Sequence, residues 1–187
     1  MPTKYFIKST VCGFILFFSA AVSFGQNNVA KSVRDFFDLI PSEYFSIYCC
    51  GENKDEYVKK YVSVRDTANG FMEGSDVKED PQYQGFKLKV FSSENGKTIL
   101  GLYSHSIRWE DYYFLEYNGG KLLNVSKAVP RYSQDNIYDF PRIGSTIKVY
   151  KKNFSSPAKL INADEKVSRG NYLYSLVWQD GKFVVKK

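Results

Sequence analysis

Tyr113-Phe114-Leu115-Glu116-Tyr117-Asn118-Gly119-Gly120-Lys121-Leu122-Leu123 returns 61 positions later as Tyr174-Ser175-Leu176-Val177-Trp178-Gln179-Asp180-Gly181-Lys182-Phe183-Val184. In both copies large apolar side chains recur at every second position, which is the period of a half-buried strand. A Gly-Gly or Asp-Gly pair follows, supplying the positive φ that a two-residue hairpin turn requires. A lysine then opens the return strand, where a charge discourages edge pairing. Asn95-Gly96-Lys97-Thr98-Ile99 is a looser third copy. Two good copies are too few for a propeller or a solenoid, so the repeat reads as convergence on one favourable hairpin.

The same grammar extends through the second part of the chain. Phe86, Leu88 and Val90 alternate with Lys87 and Lys89, Ile147 and Val149 flank Lys148, and Tyr172, Tyr174, Leu176 and Trp178 fall on one face. Asn69-Gly70 marks a further tight turn. Short links of this kind join antiparallel strands, because a parallel crossover needs a dozen or more residues. Lys87, Lys89, Lys148, Lys182 and Lys186 read as the wet side of a sheet. Two less regular stretches, 126–143 and 153–170, interrupt the strands and are places where binding groups commonly sit.

Upstream, the period changes. Val33, Phe36, Phe37 and Ile40 lie on one helical stripe, with Ser32 as cap and Pro41 as stop. Asn53-Lys54-Asp55-Glu56 offers a second cap ahead of Tyr57, Val58, Tyr61 and Val62. The fold expected is therefore one α+β domain over 26–187. Residues 26–62 are mainly helical, and two short helices pack on a curled antiparallel sheet of about eight or nine strands.

Residues 1–25 read as a secretory signal peptide. Lys4 and Lys8 precede Val11–Phe24, a 14-residue stretch without charge, and Ser23-Phe24-Gly25 places small residues at −3 and −1 before Gln26. Fourteen residues fall short of the roughly 20 needed to span a bilayer, so cleavage after Gly25 and no membrane span thereafter are expected. An exported chain has no ready access to nucleic acid, which leaves a protein or a polysaccharide as its partner. The charge is uneven: 26–81 hold 7 basic and 11 acidic side chains, net −4, whereas 82–187 hold 17 and 9, net +8. The basic excess is read chiefly as solvation.

Catalytic and metal-binding patterns are scarce. Cys49 and Cys50 are neighbours about 3.8 Å apart at Cα, below the disulfide range of about 4.4 to 6.8 Å, and they read as thiols at a helix end. No metal-ligand spacing, nucleophile elbow, phosphate loop or dinucleotide fingerprint occurs, so no cofactor is expected. The single histidine, His105, stands between Ser104 and Ser106, but in a strand both hydroxyls point away from the imidazole's face. Glu110-Asp111 and Asp164-Glu165 read as solvated turn carboxylates.

The helix ending Phe36-Phe37-Asp38-Leu39-Ile40-Pro41, the second short helix and the meander closing on Trp178-Gln179-Asp180-Gly181-Lys182-Phe183 together resemble small exported bacterial proteins of unknown function. That resemblance implies a periplasmic or secreted location and an α+β fold. With 15 Tyr, 15 Phe and 2 Trp against 1 His, the composition favours a non-enzymatic binding or interaction module of the envelope or secretome. The alternative is a small secreted hydrolase built on His105 with a nearby hydroxyl or carboxylate. The candidate binding surface is Trp109 with Arg108 and Tyr112, since a tryptophan beside an arginine suits sugar or peptide ligands. Trp109 as a core cap is the competing assignment.

Overall fold

The computed structural model describes residues 31–45, 54–75, 85–105, 110–155 and 166–187. The signal peptide, Asn53, Cys49, Cys50, Ser106, Arg108 and Trp109 lie outside the described residues. Helix α1 (Val33–Leu39) begins in a reciprocal cap: Asp35 N donates to Ser32 Oγ at 3.2 Å and Ser32 N donates to Asp35 Oδ2 at 2.7 Å. It stops at Ile40, whose extended backbone is what a residue before proline prefers. Helix α2 (Lys54–Tyr61) locks onto it. Lys54 Nζ donates to the carbonyls of Phe37, Asp38 and Ile40, satisfying acceptors at the end of α1, and Arg34 pairs with both Asp38 and Asp55.

Among the described residues ten antiparallel strands follow: β1 (Val62–Asp66), β2 (Phe71–Ser75), β3 (Gly85–Ser92), β4 (Thr98–His105), β5 (Glu110–Asn118), β6 (Lys121–Asn124), β7 (Asn136–Asp139), β8 (Thr146–Ser155), β9 (Lys166–Gln179) and β10 (Lys182–Lys186). They form two sheets, β1-β2-β3-β4-β5-β6 and β10-β9-β8-β7. The single sheet of eight or nine strands expected from sequence is thus divided in two. The break lies between β6 and β7. There a 3-10 turn at Ser126–Ala128 carries the chain off the edge of the first sheet, and Ser126 Oγ accepts from Phe114 N at 2.9 Å.

The two sheets and the helices make three layers. One core lies between the helices and the first sheet, where Phe36, Phe37, Ile40 and Tyr57 meet Met72, Phe86, Leu88, Leu100, Leu102 and Leu115. A second lies between the sheets, where Phe91, Ile99, Tyr112 and Phe114 meet Tyr138, Phe140, Ile147, Leu176, Trp178 and Phe183. Trp178 Nε1 donates to Ser92 O at 3.1 Å and ties the sheets together. Strands β3 to β5 are therefore covered on both faces, and the lysines predicted to share one wet face do not share one environment. Lys148, Lys182 and Lys186 are exposed, as expected, but Lys89 is only 4% exposed because the second sheet lies over its side of β3.

The repeated segment is the hairpin that ends each sheet: β5–β6 pairs Asn118 with Lys121, and β9–β10 pairs Gln179 with Lys182. Asp180 and Gly181 both take positive φ, as a two-residue turn of this type demands. In β9 the expected alternation fails beyond Tyr174. The register with β8 shifts there, pairing Val149 with Tyr174 but Tyr150 with Tyr172, and Tyr172 becomes 48% exposed.

Gly101 lies where the layers approach most closely. A Cβ there would stand under 3.0 Å from three atoms of the Phe140 ring. Gly101→Ala is expected to destabilise the protein by about 1–3 kcal/mol in urea unfolding, the usual cost of overpacking. Phe140→Leu added to it should recover part of the loss; an unchanged midpoint for Gly101→Ala would show that the sheets are not packed here.

Candidate functional site

The structure places a cleft of about 390 Å³ at the tip of the β1–β2 hairpin, beside the outer edge of β3 where β2 has not yet begun. The tip is pinned from within. Asp66 accepts from Asn69 N at 3.2 Å and from Asn69 Nδ2, and Arg142 Nε donates to Asp66 Oδ2 at 2.8 Å. These donors, Arg142 foremost, hold the Asp66 carboxyl below its ordinary range.

Lys89 stands under this arch. Its Nζ donates to Asn69 O at 2.7 Å and to Arg142 O at 3.2 Å, so one ammonium joins the hairpin tip to the loop before β8. No described carboxylate lies within ion-pair distance of it; Asp66, the nearest acid on its path, is spent on Arg142 and Asn69. Burial lowers the Lys89 pKa, and Asp66 opposes that only in part. Thr67, Gly70, Ser92 and Lys31 also line the cleft.

Of the residues singled out from sequence, His105 and Tyr112 lie at the other end of the first sheet, where β4 meets β5. His105 stacks on Tyr103 at 5.2 Å and 25°, and Tyr103 in turn packs on Tyr112 at 4.9 Å. Tyr103 Oη donates to Glu110 Oε2 at 3.2 Å. Lys152 is 8% exposed, faces Glu110 Oε1 at 3.5 Å, donates to Glu110 O at 3.2 Å and lies over the Tyr112 ring. Tyr112, 7% exposed, belongs to the core between the sheets, and burial raises its phenol pKa. Arg108 and Trp109 lie outside the described residues. Ser104 is fully buried on the helix-facing side of β4, shared with Leu100 and Leu102, whereas His105 points to the opposite face. Among the described residues no three His, Cys, Asp or Glu side chains gather as a metal site would need, and no helix is long and apolar enough to cross a membrane.

Sequence reasoning missed Lys89 and Lys152 as buried cations. A signal was present in Thr98-Ile99-Leu100-Gly101-Leu102 and in Phe91 following Val90, because apolar residues at successive positions mark a strand buried on both faces.

His105 provides a titration test. Burial, then the nearby Lys87, lowers its pKa from the ordinary 6.5, and Glu73 opposes the shift. The folded protein thus holds the imidazole neutral while the unfolded chain takes up a proton. Stability is present above pH 6.5 and falls as the pH drops from there through the folded-state pKa. Urea midpoints between pH 7.5 and 5.5 should decline in the wild type and decline less in His105→Gln, which removes the only histidine; equal slopes would contradict this environment. Comparison with protein-family models, curated proteins and solved structures finds no match to this chain.

Proposed function

We propose that the protein is an exported, non-enzymatic binding or interaction module of the bacterial envelope or secretome, with a polysaccharide or a protein as its partner. The observation that carries this is the Lys89 cleft: a cation fixed by two backbone carbonyls, beside open space, on a scaffold with two packed cores. Fixed polar groups on a rigid frame are what selective binding requires, and they do no bond chemistry by themselves. The leader-like residues 1–25 support export, and in the sequence the segment 108–112 sets Trp109 beside Arg108, a residue pair suited to sugar or peptide ligands. For the hydrolase alternative, Ser104 and His105 lie on opposite faces of one strand, so that hydroxyl is not offered to the imidazole.

The test combines retention and turnover. The exported form is immobilised and challenged with purified envelope polysaccharides and with envelope extracts, while nitrophenyl esters and glycosides are assayed in parallel. Retention of a defined component without turnover above background is expected. Trp109→Ala should weaken that retention and leave thermal stability nearly intact. Turnover that His105→Gln abolishes would contradict the proposal.

A further inference from the structure

Among the described residues two lysines are buried between the sheets, and they are compensated differently. Lys152 faces the Glu110 carboxylate at 3.5 Å. Lys89, more deeply buried, has two neutral carbonyl acceptors and no carboxylate among the described residues. An ammonium carries three hydrogens, and two of those on Lys89 are used. Burying a charge without a counter-charge is costly, so natural structures seldom leave one so. The uncompensated charge lines a cleft of about 390 Å³ rather than a sealed interior.

From this arrangement we infer that the cleft binds a small carboxylic acid, its carboxylate seated on the third hydrogen of Lys89 between the Gly70 turn and Ser92. The inference rests on the proposed binding role and gives its ligand class. One buried ammonium without an ion-pair partner lines the cleft, which suits a monoanion. The guanidinium that would clamp a phosphate bidentately, Arg142, is committed to Asp66 at 2.8 Å. Lys31, the other cation lining the cleft, is exposed, so water solvates its charge. Thr67 and Ser92 also line the cleft, and Ser92 Oγ shares a hydrogen bond with Thr98 Oγ1 at 3.1 Å. The size falls in the range of sites for small molecules, about 300–1,000 Å³. Another cleft, of about 270 Å³, holds no buried lysine: Lys97 pairs with Glu116 at 3.6 Å and Lys182 is exposed.

The experiment titrates the full chain with acetate, D-glucuronate, D-glucose and inorganic phosphate at constant ionic strength. It follows backbone amides of Gly70, Ser92 and Gly144 and the side-chain nitrogen of Lys89 by NMR. Saturable shifts with acetate and glucuronate, and none with glucose, are expected. Tighter binding of glucuronate identifies an acidic sugar, and equal binding identifies a simple organic acid. Lys89→Met should lower carboxylate affinity at least tenfold. The Lys89 nitrogen shift in the wild type decides the matter even where that variant folds poorly. Phosphate binding as tightly as glucuronate, a Lys89 nitrogen that never responds, or undiminished affinity in folded Lys89→Met would each overturn the inference. Retention of envelope polysaccharide without any carboxylate response would remove this ligand class and leave the binding role standing. Turnover dependent on His105 would remove that role instead.

Discussion

Burial of β3, β4 and β5 on both faces is the constraint from which the rest of this structure follows. Leu88, Leu100 and Leu115 face the helices while Phe91, Ile99 and Phe114 face the second sheet, so each central strand contributes to two cores. Such strands cannot alternate apolar and solvated residues freely. Any polar side chain they carry must find a partner inside the protein. Ser104 is fully buried beneath the helices, and Gly101 leaves room for the Phe140 ring. The close approach of the layers also explains why the aromatic residues form chains of contacts rather than isolated pairs, Phe114 meeting Tyr138, Phe140 and Phe183 within 5.4 to 5.7 Å.

The two buried lysines show how this constraint produces local chemistry. At the β4–β5 end, Lys152 is neutralised by Glu110, and the resulting cluster with Tyr103 and Tyr112 closes the core. Near the hairpin tip, Lys89 donates to two carbonyls and lies over the Phe91 ring, while Asp66 serves Arg142. The first arrangement has its counter-charge without a ligand. The second holds a positive charge at an open cleft, and for that reason binding is assigned there. Removing either lysine would do different things, since loss of Lys152 strands a carboxylate, whereas loss of Lys89 frees two carbonyls and the loop they anchor.

Much of the architecture is legible in the sequence because it rests on local physics. The Ser32 cap and the Pro41 stop define α1, and Asn69-Gly70, Asn95-Gly96, Gly119-Gly120 and Asp180-Gly181 each mark a hairpin. Layering is less legible. The alternation of Phe86, Leu88 and Val90 with Lys87 and Lys89 reports which side chains face the helices and is silent about what covers the other side. Lys89 therefore reads as solvated until the second sheet is placed over it. The division into six and four strands escapes for the same reason, since the Ser126–Ala128 turn looks like any other loop. The bulge that exposes Tyr172 depends on pairing with β8, which no period within β9 encodes. Of the residues proposed from sequence, Tyr112 proves to be core, and its burial follows from neighbours on the second sheet, remote in the chain.

Native-state amide hydrogen exchange tests the two-sided burial most directly. If β3 to β5 are enclosed by both cores, the amides of Leu88, Leu100 and Phe114 should exchange only through global unfolding. Amides of Ser175 and Val177 in β9, covered on one face, should exchange through smaller openings. Exchange at Leu100 and Phe114 faster than at Ser175 and Val177 would contradict the three-layer arrangement.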